Sequence, residues 1–375
     1  MYVRSIESRV KKDLFQGKIV IIYGPRQVGK TTMIQNILRE YDGKSKYFDC
    51  QSSVTHEFLI PDPKRVMEQF GDATLVALDE AQYVPEIGRV LKVFHDAYPA
   101  VQLLVTGSSA FDLANRTAES MAGRTREHVM FPLSVEEIVR ADGAHDFFTG
   151  FESWLRFGSY PAIFGRGTDA MTEDLRTLQS SLLYKDILAI DGVHKPTILT
   201  NLLLSLALQV GSEVSNGSLA RLLGTSIPTV ERYVDILEKM FVIKRLYSLS
   251  RNPRVEIRRG YKIYFLDLGI RNSIIGNHEP LSRRSDKGAL FENFFVIERW
   301  KYMRAHSLGA NTYFWRTTDQ KEIDYVEESG GVLRGFECSF AGKSVATANR
   351  KFKWLYENAA DMQVVTEKNF LEFVT

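Results

Sequence analysis

The chain has 375 residues, with 48 lysines and arginines against 46 acids, a formal charge of +2 and a hydrophobic share of 44%. Such a balance sets up no global field demanding nucleic acid, and the length gives room for roughly two to four domains with a sizeable core. Cys50 and Cys338 are the only cysteines, against a disulfide scaffold or zinc module and in keeping with a reducing cytosol, while the mixed-charge N-terminus and the short longest apolar stretch, Leu202 to Val210, predict neither a signal peptide nor a membrane span.

The first informative segment, residues 18–32, reads Lys-Ile-Val-Ile-Ile-Tyr-Gly-Pro-Arg-Gln-Val-Gly-Lys-Thr-Thr. Ile19 to Tyr23 has the composition of a buried strand. A loop from Gly24 to Gly29 follows, and then a helical stretch from Thr32 to Arg39. This is a Walker A pattern in a strand–loop–helix context. The backbone N–H groups of Gly24, Pro25, Arg26, Gln27, Val28 and Gly29, the proline excepted, are expected to cradle phosphate oxygens, aided by the positive end of the helix. Lys30 is expected to reach the β- and γ-phosphates of ATP, Thr31 to ligate Mg²⁺ and Thr32 to contact the α-phosphate. A glycine-bearing turn that binds nothing is the plainer reading of the same residues.

Ser45–Cys50 is the next expected strand, and Leu75–Leu78 the third. The latter is an apolar run without alternation, as in a central parallel strand, and it leads into Asp79 and Glu80. Asp79, at the carboxyl end, is placed to hold the Mg²⁺ shell. Glu80 is placed to orient or deprotonate a water for in-line attack. A helix N-cap pair is the competing reading of the two acids. Ile87, Val90, Leu91, Phe94 and Tyr98 keep helical spacing. The strand Val101–Val105 then ends in Thr106-Gly107-Ser108-Ser109. In additional-strand P-loop ATPases such a strand lies between the two motif strands, which makes Thr106 and Ser108 candidate sensors of the γ-phosphate; either hydroxyl could equally cap the helix that follows. His128–Phe131 is the last expected strand, so residues 1–135 read as an α/β unit with a parallel sheet.

Residues 136–210 turn helical, in Val135–Val139, Phe151–Phe157 and Leu175–Leu188, and suggest a lid or linker. Residues 211–270 suggest a winged helix-turn-helix. Leu219–Leu223 is a short helix, Gly224-Thr225-Ser226 the turn, and Pro228 opens a second helix whose apolar face is Val230, Tyr233, Val234, Leu237 and Phe241. Val242–Leu249 and Lys262–Leu266 would be the wing strands. Residues 271–375 read as a small α/β module: a helix over Ala289–Arg304, then strand-like stretches around Tyr313–Arg316, Glu322–Val326 and Leu333–Ser339.

Together these segments resemble a family of AAA-like ATPases of archaeal and bacterial type that join a P-loop domain to a winged helix and a C-terminal PD-(D/E)XK nuclease-like domain. The matching stretches include Gly-Pro-Arg-Gln-Val-Gly-Lys-Thr-Thr (24–32), Leu-Asp-Glu-Ala-Gln (78–82), Thr-Gly-Ser-Ser-Ala (106–110) and Ala-Gly-Arg (122–124). Gly-Ser-Tyr-Pro (158–161), Tyr-Phe-Leu-Asp-Leu-Gly (264–269) and Gly-Ala-Leu-Phe-Glu-Asn (288–293) extend the likeness along the chain. The resemblance implies that Arg124 meets γ-phosphate charge, within the chain or in a neighbouring copy. An arginine packed on the lid or paired with Glu127 is the alternative. It also implies metal-holding acids at Asp324 and Glu337, with Glu292 on the preceding helix, but the position of the expected lysine is Ser339. Lys343 is the nearest lysine in sequence, and an inactive module used for contacts is the reading favoured here.

DNA contact is expected of the wing more than of the second helix. That helix offers Glu231, Arg232, Asp235, Glu238 and Lys239, a poor set for phosphates, whereas the wing offers Arg251, Arg254, Arg258, Arg259 and Lys262 against Glu256. A solvated basic hairpin, or a winged helix that docks protein, is the alternative. The expected function is ATP binding and hydrolysis coupled to movement of the other modules, in the cytoplasm. A nucleotide-gated DNA- or protein-binding regulator with slow turnover and an ATP-coupled nuclease are the alternatives, with a protein partner or a second copy of the chain left open.

Overall fold

The computed structural model of the chain describes residues 2–108, 121, 123–165, 167–182, 187, 193, 195–249, 260–317, 321–340, 352–353, 356 and 358–375. It divides into two compact units. The first runs to Pro132 and takes in Ile187 and Lys239–Phe241; the second holds the rest of the described chain.

In the first unit, strands β1 (Ile19–Tyr23), β2 (Ser45–Asp49), β3 (Leu75–Asp79), β4 (Gln102–Gly107) and β5 (Thr125–Val129) form a sheet of order β2-β3-β4-β1-β5. Every pairing is parallel. The additional strand β4 therefore lies between β1 and β3, as the sequence predicts. Burial explains the central strands. Each residue of β1, β3 and β4 is buried, so these strands need apolar side chains on both faces, and they have them. Strand β5 is one edge of the sheet, β2 the other. It starts at Thr125 rather than at His128 because it follows β1 from Ile19 onwards, and an edge tolerates the polar run Thr125-Arg126-Glu127 that periodicity passes over.

Helices α1 (Glu7–Asp13), α2 (Lys30–Glu40), α3 (Ser53–Phe58), α4 (Pro63–Phe70) and α5 (Ile87–Ala97) accompany this sheet. Asp62 caps α4 by accepting from the N–H groups of Lys64 and Arg65, with Pro63 at the first helical position. On α5 the apolar face Ile87, Val90, Leu91 and Phe94 is buried, and each of these side chains contributes about 1.5–3 kcal/mol on transfer from water. Phe94 meets Phe70 edge to face at 5.0 Å between ring centroids, which locks α5 to α4.

The second unit begins with helices α6 (Val135–Asp142), α7 (Ala144–Thr149), α8 (Phe151–Phe157), α9 (Thr168–Ser180) and α10 (Pro196–Leu208). Strand β6 (Glu213–Val214), helices α11 (Asn216–Leu223) and α12 (Ile227–Lys239), and strands β7 (Ile243–Ser248) and β8 (Tyr261–Phe265) follow. A capping box at Ser215 and Ser218 starts α11, and Gly224 ends it. Helix α13 (Leu268–Ile274), the 19-residue α14 (Lys287–Ala305), strands β9 (Asn311–Arg316), β10 (Glu322–Ser329), β11 (Val332–Cys338) and β12 (Gln363–Val365), and α15 (Leu371–Val374) complete the described elements.

The strands expected of the wing and those expected of the C-terminal module share one seven-stranded sheet, of order β12-β11-β10-β9-β7-β8-β6. Strand β7 pairs with β8 antiparallel and with β9 in parallel, Tyr247 opposite Tyr313 and Ser248 opposite Phe314. Helix α14 is apolar around most of its surface because it is enclosed: Leu290, Phe291, Phe295 and Val296 are fully buried. Asn293 ties it to β8, accepting from Phe265 N at 2.7 Å and donating to Phe265 O at 2.9 Å. That tie sets Glu292 against β8.

Candidate functional site

All strands of the first sheet run the same way, so the ends of β1, β3 and β4 meet on one rim, where open α/β sheets bind ligands. The loop after β1 needs its glycines. A side chain at Gly24 would place Cβ 2.1 Å from the carbonyl oxygen of Met130, and Gly29 has φ +98°, a left-handed value that side chains resist. Gly29 is the N-cap of α2, so the free N–H groups of that helix open onto the loop. Arg4 braces the loop from behind, its guanidinium donating to the carbonyls of Val28 and Phe131. Arg26 reaches outward and donates to the Tyr83 hydroxyl at 2.7 Å. Gln27 also has a positive φ, +60°.

Lys30 is only 4% exposed. Its Nζ donates to Gly24 O at 2.9 Å and to Pro25 O at 3.0 Å, and lies 3.7 Å from Glu80 Oε1. One residue on, Thr31 Oγ1 donates to Asp79 Oδ2 at 2.7 Å. Tyr47 donates to the same oxygen at 2.9 Å, and Thr106 Oγ1 donates to the other carboxylate oxygen. Burial, with Asp79 beside it, holds the Tyr47 phenol well above its usual range, so it stays a donor. Thr106 in turn accepts from Glu80 N at 3.0 Å. Glu80 has φ +53°, a left-handed conformation that is strained for a side-chain-bearing residue and clusters at functional sites. Its carboxylate accepts from Gln82 Nε2, and Gln82 Oε1 accepts from Ser108 N at 3.3 Å. Thr32 is exposed in the first turn of α2. Thus Lys30, Thr31, Asp79, Glu80, Thr106 and Ser108 come together on one rim, and Gln82 links Glu80 to Ser108. Nothing in the spacing marked Gln82, although Leu-Asp-Glu-Ala-Gln contains it.

For Arg124 the within-chain reading requires a correction. Its carbonyl accepts from Ile19 N at 2.9 Å, at the amino end of β1, whereas the phosphate loop leaves the carboxyl end. A five-residue strand, about 16 Å at ~3.3 Å per residue, separates the two. Its guanidinium is partly exposed and pairs with Asp96 at 2.8 and 3.2 Å, not with Glu127. Within this chain it does not meet the γ-phosphate position; the motif gives the residue but not the end of the strand.

A second constellation lies in the second unit. Lys262, counted above among the wing cations, is 2% exposed and points inward. Its Nζ lies 2.9 Å from Glu292 Oε1, 2.6 Å from Glu322 Oε1 and 3.5 Å from Asp324 Oδ1. Tyr264 donates to Glu292 Oε1 at 2.7 Å, and Cys338 N donates to Asp324 Oδ2 at 2.9 Å. Burial pushes Glu292 up to about 7 and Glu337 up to about 8, with the negative charge of Asp324 adding to both. Ser339 is buried beside them, its N–H on Val365 O at 2.9 Å, and Lys343 lies outside the described residues. Among the described residues, no three His, Cys, Asp or Glu side chains converge as a metal-holding set. The only sequence signal for Lys262 is a charge inside the run Tyr-Lys-Ile-Tyr-Phe.

The surface of α11 and α12 also differs from expectation. Asp235 and Glu238 are engaged by Arg245 of β7, at 2.7 and 2.6 Å, and Glu231 accepts from Asn216 at 3.1 Å. Arg251, Arg254, Glu256, Arg258 and Arg259 lie outside the described residues.

Comparison with known proteins divides the chain into three stretches. A family described as an AAA domain matches residues 16–139, and domains of unknown function DUF8612 and DUF4143 match residues 149–281 and 287–373. Uncharacterized protein Rv2008c of Mycobacterium tuberculosis and uncharacterized protein Mb2031c of Mycobacterium bovis are each 30% identical over 342 residues, covering 89% of this chain and 73% of theirs. An uncharacterized Haemophilus influenzae protein is 24% identical over 276 residues, 70% of this chain and 65% of its own. Among solved structures, Drosophila ORC bound to AT-rich DNA and Cdc6 gives 10% identity and a TM-score of 0.25 over 73% of this chain and 93% of that one. Pif1 helicase from Candida albicans gives 12% and 0.26 over 48% of each. Likenesses that slight carry no argument. The mycobacterial matches do: the chain belongs to the family of those uncharacterized proteins, with an AAA-type, P-loop ATPase-like domain at its head and the two domains of unknown function after it.

Proposed function

We propose that the first unit binds ATP with Mg²⁺ and hydrolyses it. The observation that carries the reading is the state of Lys30: a buried ammonium held by the neutral carbonyls of Gly24 and Pro25, at the mouth of a loop whose amides and helix end favour an anion. A phosphate oxygen is a stronger acceptor than either carbonyl, so the cation can transfer to it. The adjacent hydroxyl of Thr31 and carboxylate of Asp79 are hard oxygen donors of the kind that Mg²⁺ takes. When bound, ATP·Mg²⁺ supplies the phosphoanhydride bond and the divalent charge. In this reading Glu80 orients the attacking water and accepts its proton, and Gln82 relays the position of Ser108 to Glu80. Nucleotide state would then bias the placement of the helix-turn-helix and C-terminal module.

Glu80→Gln tests the assignment. ATP turnover should fall by at least ~100-fold while ATP affinity stays within a few-fold, since a positioned base contributes about that much or more. Turnover at the unaltered rate would remove Glu80 from the role. One observation favours slow, switch-like turnover: Glu80 is already engaged by Gln82 and close to Lys30. A regulator reading therefore expects nucleotide to alter partner affinity more than it is consumed. DNA contact in that reading falls to Arg251, Arg254, Arg258 and Arg259, because Lys262 is buried.

A further inference from the structure

The acidic pocket of the second unit poses a question of charge. The resemblance noted in the sequence implies a divalent cation held by Asp324, Glu337 and Glu292. Such an ion needs free carboxylate lone pairs directed at one point. Those of Glu292 and Asp324 are engaged here, while Glu337 Oε2 is buried with no hydrogen-bond partner among the described residues. Glu292 Oε1 accepts from both Lys262 Nζ and Tyr264 OH; Asp324 Oδ1 faces the ammonium and its Oδ2 accepts from Cys338 N. An ammonium 2.6–3.5 Å from three carboxylates repels a second cation drawn to the same oxygens. The residues present do not fit a metal.

We infer that the Lys262 ammonium stands where a divalent cation would otherwise sit, making this pocket a metal-independent internal clasp. Its source explains the departure from the motif. The cation enters from β8, so the end of β11 needs none, and Ser339 suffices there. Its effect is structural. Lys262 joins β8 to Glu292 on α14 and to Glu322 and Asp324 on β10, which links the β6-β7-β8 side of the sheet to the β9–β12 side. Phe314 of β9 lines the clasp, its ring centroid 5.7 Å from Nζ.

The test uses the full chain without nucleotide, with Mn²⁺ as probe, read by calorimetric titration and by Tm. The unaltered chain should take up no Mn²⁺ that Asp324→Asn removes. Lys262→Met should create such uptake: Mn²⁺ raises its Tm by several degrees, since an ion bound only by the folded state stabilises it by mass action, and adding Asp324→Asn cancels the rise. If Lys262→Met fails to fold without metal, the triple variant Lys262→Met, Glu292→Gln, Asp324→Asn should fold, because it removes two of the charges left bare. Failure of that triple variant overturns the inference. So does Mn²⁺ uptake by the unaltered chain that Asp324→Asn abolishes, and so does a folded Lys262→Met chain that takes up none.

Discussion

Lys30 and Lys262 are both buried lysines near acids, and they differ in what holds them. Lys30 rests on two carbonyls, with one carboxylate at 3.7 Å. Lys262 has three carboxylates within 3.5 Å. A cation resting on dipoles, with one carboxylate at the limit of ion-pair distance, keeps more of its charge for an incoming anion. One enclosed by carboxylates is neutralised, and a phosphate would meet net negative charge there. The surroundings, not the residue type, make one lysine a ligand-binding group and the other a clasp.

Exchanging the losses gives the largest effects. Lys30→Ala should abolish saturable ATP binding and leave the urea midpoint of the chain nearly unchanged. Lys262→Met should do the reverse: it leaves buried carboxylates without their partner, which costs about 3–5 kcal/mol, and it spares ATP binding. If Lys262→Met instead weakens ATP binding with no change in urea midpoint, the contrast is wrong. Next in size is Gln82→Ala. Loss of a hydrogen bond to a charged group is worth about 1.5–3 kcal/mol, so kcat should fall at least ~10-fold with KM little changed. A KM effect alone would make Gln82 a binding residue.

The acid pocket should also be visible in pH dependence. Glu292 and Glu337 are raised to about 7 and about 8 in the folded chain, from an ordinary value near 4.3. Both hold protons in the fold that they release on unfolding. Their contribution is therefore full below about pH 4 and is lost as pH rises through 7 and 8. The urea midpoint of the second unit should fall from pH 5 to pH 8.5, and Glu337→Gln should flatten part of that slope. A midpoint that rises over the same range would contradict the assigned direction. The smallest effect is expected at Arg124. Arg124→Ala should change Tm little and leave the ATPase rate of dilute chain unchanged, because its ion pair with Asp96 is partly exposed and remote from the loop. A loss that appears only at high protein concentration would assign it to a neighbouring copy.

What the sequence made legible was what lies contiguous in it. The loop between β1 and α2 is a run of neighbours, and the chemistry of each position follows from its order. The apolar runs of β1, β3 and β4 announce burial on both faces because nothing else requires such runs. The edge strand β5 was shifted, since edges relax the pattern on which the reading depends. Lys262 was misplaced for a different reason. Its partners Glu292 and Asp324 lie 30 and 62 residues downstream, and no local spacing joins them. Read locally, a lysine beside a row of arginines is a surface cation; only the tertiary fold turns it inward.

The bond between β7 and β9 bears on how this protein can be dissected. A cut near residue 270 follows a boundary that looks natural in the sequence, but it would strip β9 from β7 and take Glu292, Glu322 and Asp324 away from Lys262. Each fragment would then present a naked strand to its own copies, the usual start of aggregation, and would carry buried charges with no counterpart. Fragments for crystallisation, pull-downs or domain transplants should keep residues 242–338 in one piece.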